Sequence, residues 1–197
     1  MGKRQAPDLE VVADFGGSGT KFVYARPGEV PATTFMEPDV ALADCDRLAQ
    51  LTEGRFAAGE PEDRAWIELD DGCYAVGRLA ATQCRSHEGL KQSKQERAAL
   101  KLLAGVWVLA QRLGLKKRFK LSVVLLLPID EVADATSVGN RLTQALQAFN
   151  TPTGTYHVPS QSGELQLLPG GNRHLLGAIR QVPQALDCGG RINEKTI

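Results

Sequence analysis

Apolar positions in this chain fall in short strand-like runs before residue 80, and helical spacing first appears after residue 94. Residues 9–13 (Leu-Glu-Val-Val-Ala) and 22–25 (Phe-Val-Tyr-Ala) are rich in β-branched and aromatic side chains, which predicts two strands. The segment between them holds Gly16, Gly17 and Gly19, so the pair reads as a hairpin closed by a Gly-rich turn. A second hairpin is predicted for residues 66–69 and 73–77 around Asp70-Asp71-Gly72, because Asp-Gly is a favoured short turn. Between the hairpins, residues 27–61 mix prolines, glycines and acids with small apolar pieces such as Phe35-Met36 and Val40-Ala41-Leu42. That stretch predicts a loop-rich excursion with one short strand.

Ser93-Lys94-Gln95-Glu96 has the form of a capping box, with Ser93 at the N-cap and Glu96 reaching back to it. Leu100, Leu103, Trp107, Ala110 and Leu113 follow at helical spacing, and Gly114 is placed to end the helix. Leu102, Val106, Val108 and Leu109 widen the apolar face, which predicts a well-buried helix. Residues 121–127 are nearly all apolar and β-branched at their start, the pattern of a central strand covered on both faces. A helix followed by such a strand predicts a right-handed crossover onto the sheet begun at residue 9. A second helix is predicted over 137–149, with Val138, Leu142, Ala145, Leu146 and Phe149 on one stripe. Residues 153–158 and 164–168 predict a third hairpin around 159–163. The order is that of a mixed α/β domain built on hairpins with flanking helices, not a doubly wound parallel sheet.

At 197 residues the chain is long enough for one good-sized core, or one domain and the edge of another. Its 23 basic and 23 acidic residues balance, which argues against a dedicated nucleic-acid binder. The local basic run Lys116-Lys117-Arg118 with Lys120 reads as a solvated turn after a helix end. Lys3 and Arg4 precede a polar stretch rather than an apolar one, so no secretory signal is expected. Residues 121–129 are too short to span a bilayer. The expectation is a cytoplasmic protein. Cys45, Cys73, Cys84 and Cys188 show no C-x-x-C spacing and do not cluster with His87, His157 or His174. Neither a zinc site nor a disulfide framework is expected, and the cysteines read as buried or incidental thiols.

The chemistry concentrates in Asp14-Phe15-Gly16-Gly17-Ser18-Gly19-Thr20-Lys21. Glycines let backbone N–H groups close on an anion. Ser18 and Thr20 add hydroxyl donors, Lys21 adds a charge, and Asp14 is placed to hold a hydrated Mg²⁺, which takes one or two carboxylates beside phosphate oxygens. The plainer reading is a tight hairpin that needs glycines and has an ordinary turn acid. The segment is not a Walker A loop, and it lacks the following helix of a Rossmann fingerprint.

This opening motif and the element order resemble the actin-like ATPases of the plasmid-segregation type (the ParM/StbA group). Their superfamily includes actin, heat-shock chaperone ATPases and sugar kinases. Two further segments share the likeness: Cys73-Tyr74-Ala75-Val76-Gly77-Arg78-Leu79-Ala80, and the buried strand ending Leu125-Leu126-Leu127-Pro128-Ile129-Asp130-Glu131. The resemblance covers residues 9–182, with 27–62 weakly matched, and implies an actin-like (ribonuclease H-like) domain I over residues 1–182. It implies ATP and Mg²⁺ as cofactors. Asp14 would coordinate the metal through water, backbone N–H groups from Gly16, Gly17, Ser18 and Gly19 would contact phosphates together with Thr20, and Lys21 would approach them. Phosphoryl transfer needs mainly such positioning and charge stabilisation.

Two departures stand out. Where relatives carry Pro-Glu to orient the attacking water, this chain reads Pro169-Gly170-Gly171. Residues 183–197 contain Leu186-Asp187-Cys188-Gly189-Gly190, which looks like the start of a second phosphate loop with Asp187 as its acid. The family's domain II is then expected to be absent. The resemblance implies filament formation by a complete form and an adaptor protein bound to plasmid DNA, with no direct nucleic-acid or membrane contact. Two alternatives stay open: a sugar or small-molecule kinase using Asp130 or Asp134, and a non-catalytic half-domain that binds a partner.

Overall fold

The computed structural model describes residues 6–16, 18–53, 59–84, 94–127, 135–159 and 165–169. In chain order the elements are β1 (Leu9–Gly16), β2 (Gly19–Ala25), β3 (Ala32–Met36), β4 (Val40–Ala43), α1 (Cys45–Thr52) and a 3₁₀ turn (Pro61–Arg64). Then come β5 (Trp66–Leu69), β6 (Gly72–Val76), α2 (Arg78–Gln83), α3 (Lys94–Arg112) and β7 (Leu121–Leu127). The described chain closes with α4 (Ala135–Gln147), β8 (Phe149–Thr151), β9 (Gly154–Tyr156) and β10 (Leu165–Pro169).

These strands form two five-stranded sheets, ordered β10-β7-β1-β2-β3 and β4-β6-β5-β8-β9. The expected crossover is present: β7 lies parallel to β1, with Val123 beside Val11 and Leu125 beside Ala13. The other face of the same strands is buried as well, at Val12, Val124 and Leu126. That accounts for the nearly unbroken apolar run in β7.

Helix α3 joins the sheets. Every residue from 102 to 110 is buried, so no stripe of this segment is left for solvent. One core contains Leu9, Val11 and Phe22 of the first sheet, Ile67, Tyr74 and Val76 of the second, and Leu103, Val106 and Trp107 of α3. Gly105 permits the closest approach, since a β-carbon there would fall 2.1 Å from Cζ of Phe22. The helix ends as expected at Gly114, whose φ is +61°. Gly114 N–H donates to the Gln111 carbonyl and Leu115 N–H to the Ala110 carbonyl, the paired bonds of a Schellman motif. The Arg26 guanidinium donates to the carbonyl of Leu113 just beyond.

The structure corrects four sequence expectations. The stretch 27–61 is not mainly loop, because it carries β3, β4, α1 and the 3₁₀ turn. β3 and β4 are short edge strands, exposed at Phe35 and Leu42, so neither shows a long apolar run. The third hairpin joins β8 to β9 instead, with Phe149 opposite Tyr156, while β10 pairs parallel with β7 in the other sheet. Phe149 accordingly opens a strand rather than closing α4; its ring stacks on Tyr156 at 6.0 Å. Fourth, Cys45 and Cys73 are joined in a disulfide, with Cα atoms 5.3 Å apart. Their spacing of 28 residues concealed it: Cys73 pairs across the sheet with Ala43, two residues before Cys45. Cys84 is the buried free thiol among the described cysteines. Ser93, Cys188, His87 and His174 lie outside the described residues.

Candidate functional site

Strands β1, β7 and β10 run parallel and finish at one edge of the first sheet, with Leu126 beside both Asp14 and Leu168, and Leu127 beside Pro169. Carboxyl ends of parallel strands are where α/β sheets place ligands, since the chain leaves the sheet there and opens a crevice. The Gly-rich turn sits at this edge because β1 continues directly into it.

β1 and β2 pair from Glu10 opposite Ala25 to Gly16 opposite Gly19, so a two-residue loop closes the hairpin. Asp14 is directly opposite Lys21, and Lys21 is directly opposite Phe35 on β3. Residues opposite one another share a face, so acid, amine and ring stand in one row across three strands. Asp14 is half-buried, while Lys21 and Ser18 are exposed. Among the described residues the side chains of Asp14 and Lys21 have no hydrogen-bond or ion-pair partner. An uncommitted carboxylate at an open strand end suits a hydrated Mg²⁺, which keeps several waters and needs few protein ligands.

Thr20 points to the opposite face, with Phe22. It is 1% exposed and its Oγ1 is buried without a partner, so it is not a solvent-facing hydroxyl as the sequence suggested. Gly16 and Gly19 serve close approach: a β-carbon on Gly16 would lie 3.2 Å from the Gly19 carbonyl oxygen. One on Gly19 would meet the Phe35 ring at 2.1 Å. Phe35, half-exposed and lying on the turn glycine, was missed because its segment read as loop. The β-branched and aromatic run Thr33-Thr34-Phe35 was its available signal. Gly17, Gly170, Gly171, Asp130, Asp134 and Asp187 lie outside the described residues.

Away from the hairpin, charge is spent on structure. Glu62 Oε1 accepts from Arg112 Nε at 2.6 Å and from the Thr34 hydroxyl at 2.7 Å, tying the 3₁₀ turn, α3 and β3 together. Burial works to raise the Glu62 carboxyl, but these bonds outweigh it and hold the group below its ordinary range. Burial also pushes Glu10 upward. Cys45, Glu68 and Cys73 bring three ligand-type atoms together, yet the two sulfurs are bonded to each other, and Glu68 accepts from Asn150 at 3.1 Å. Among the described residues no helix is long and apolar enough to cross a membrane.

No protein-family profile matches this chain, and no curated protein sequence does. Solved structures do. AlfA from B. subtilis plasmid pLS32, in its filament, aligns with a TM-score of 0.57 at 12% identity, over 87% of this chain and 58% of AlfA. An AlfA filament bound to AMPPNP aligns at 0.53 with 13% identity, over 87% of this chain and 56% of that one. A 15-stranded ParM filament from Clostridium botulinum aligns at 0.52 with 15% identity, over 91% and 52% respectively. The chain spans little more than half the length of these proteins. Its fold, two sheets with flanking helices, is that of the actin-like proteins AlfA and ParM.

Proposed function

We propose that this chain is the phosphate-binding first domain, residues 1–182, of an actin-like ATP-binding protein of the plasmid-partition type. The observation that carries the reading is the partner-free Asp14, opposite Lys21, beside a two-residue Gly-rich turn at the shared carboxyl edge of β1, β7 and β10. Asp14 would hold hydrated Mg²⁺, and backbone N–H groups of Gly16 to Gly19 would donate to phosphate oxygens. Lys21 would lie over the bound charge. Bound Mg²⁺ would neutralise the charge of the phosphates and fix their orientation.

Thr20 serves the turn by packing inward rather than by touching a phosphate, since its side chain is buried. Asp187 would be the acid of the second phosphate loop. Nucleotide-dependent self-association into filaments, an adaptor protein on plasmid DNA, and a cytoplasmic location complete the reading. A likeness to nucleotide-bound and filamentous AlfA supports it.

The test is ATP binding with and without Mg²⁺, measured by calorimetry on wild type and Asp14→Ala, with electron microscopy for filaments. Mg²⁺-dependent binding should disappear in Asp14→Ala while the fold, followed by circular dichroism, persists. Undiminished binding by the variant would remove Asp14 from the site.

A further inference from the structure

Strand register brings Cys45, Glu68 and Cys73 together on the second sheet. Cys73 on β6 stands directly opposite Ala43 on β4 and Glu68 on β5, and Glu68 stands opposite Asn150 on β8. Opposed residues share a face, so Ala43, Cys73, Glu68 and Asn150 form one row across four strands. From Ala43 the chain passes through Asp44, the N-cap of α1, and Cys45 opens the helix beside that row. The two sulfurs and a Glu68 carboxylate oxygen consequently lie within 4.8 Å of one another.

Joined as a disulfide, the sulfurs have no hydrogen to donate and offer a carboxylate nothing. Glu68 is nevertheless half-buried on this face, where Asn150 Nδ2 donates to its Oε2 at 3.1 Å. That bond orients the carboxylate and leaves Oε1 to another ligand. Carboxylates that ligate metals are held by hydrogen bonds of this kind. Around the row, Cys73 is 1% exposed and packs with Ala41, Trp66, Ala75 and Leu79. Such neighbours solvate bare thiolates poorly, and a divalent cation removes that cost. Two thiolates with a carboxylate make a donor set that suits zinc. Tetrahedral zinc, with bonds of about 2.3 Å to sulfur and about 2.1 Å to oxygen, sets its ligand atoms about 3.5–4 Å apart. The observed spread is within side-chain reach of that geometry.

We propose that Cys45, Cys73 and Glu68 form a zinc site that the disulfide closes and reduction opens, with water as fourth ligand and Asn150 orienting Glu68. Cys45 reaches the surface, where a dithiol can attack the bond. The dithiol delivers two electrons and two protons to the S–S bond, leaves two thiols, and itself becomes a disulfide. Zn²⁺ then forms two Zn–S bonds and one Zn–O bond, and both thiol protons pass to water. Either state ties the start of α1 to the second sheet. No residue of the hairpin takes part, so the site does not depend on nucleotide binding there.

The experiment titrates Co²⁺ and then Zn²⁺ into the full chain, oxidised or anaerobically reduced with dithiothreitol that is then removed. The reduced chain should take up Co²⁺ with a thiolate-to-cobalt charge-transfer band and the intense visible bands of a four-coordinate ion, and Zn²⁺ should bleach both. The oxidised chain should show neither. Asn150→Ala should weaken zinc binding by about tenfold or more, and Glu68→Gln by at least as much. Cys84→Ala should leave affinity unchanged. Circular dichroism follows the fold: if the reduced chain loses structure without metal, zinc should restore it. The inference is overturned if the reduced chain gives no charge-transfer band or the oxidised chain binds equally. It also fails if Glu68→Gln binds as tightly as wild type, or if Cys84→Ala abolishes binding.

Discussion

The Phe22 ring occupies the space into which a side chain at Gly105 would project, with Cζ 2.1 Å from the site of its β-carbon. Both residues are buried, and the ring is fixed between β2 and α3. Gly105→Ala would raise helix propensity, yet the added methyl has nowhere to go. Overpacking of this kind costs about 1–3 kcal/mol, which outweighs a propensity gain of about 1 kcal/mol. A lowered urea midpoint with unchanged slope is the expected result.

A similar contact at the candidate site has a different remedy. Phe35 lies against Gly19 but is half-exposed, so its ring can be removed without opening the core. Gly19→Ala should destabilise the chain by about 1 kcal/mol or more, and less in a Phe35→Ala background, where the positive φ of Gly19 and the Met36 carbonyl 3.2 Å away still oppose the methyl. A double-mutant cycle should give a coupling of about 0.5–3 kcal/mol; additivity would show that the ring does not confine Gly19.

Glu62 predicts how stability responds to acid. Its folded-state value lies below the ordinary value of 4.5, so its contribution is full above that pH and is lost as pH falls through the folded value. Stability should therefore drop in the acid range, and Glu62→Gln should flatten that part of the curve. The variant should also cost about 1–3 kcal/mol near neutrality, because it removes the charged acceptor of Arg112. Denaturant midpoints across the acid range decide both points.

The Cys45–Cys73 bond closes a loop across a separation of 28 residues. Loop-closure entropy assigns such a crosslink about 3–4 kcal/mol of stabilisation. Oxidised wild type should exceed Cys45→Ala/Cys73→Ala by an amount of that order, and a reductant should erase the difference. Cys84→Ser serves as a control for the remaining described thiol.

The most legible parts of the sequence were those in which one residue pattern had one physical meaning. The Leu121–Leu127 strand and the buried stretch of α3 were readable because burial on every side demands continuous apolar sequence. Gly114 was readable because few residues take positive φ without cost. Edge strands gave no comparable signal: β3 buries only Met36 and spends its other positions on solvent, the Thr34–Glu62 bond and the Phe35–Gly19 contact. Strand partners were also hidden. β9 and β10 are neighbours in sequence but belong to different sheets, and what separates them is a long-range choice of partner. At the site the hairpin was legible, but the pairing of Asp14 with Lys21 was not, because the sequence reading left both in the turn, and the inward turn of Thr20 depended on which face α3 covers.

Because α3 is packed by both sheets at once, losing either sheet would strip one side of a helix that has no solvent-compatible side between residues 102 and 110. The amides of that segment therefore have no inexpensive local opening through which to reach water. They should exchange with deuterium only as the whole chain unfolds, and the slowest of them should report its global stability directly.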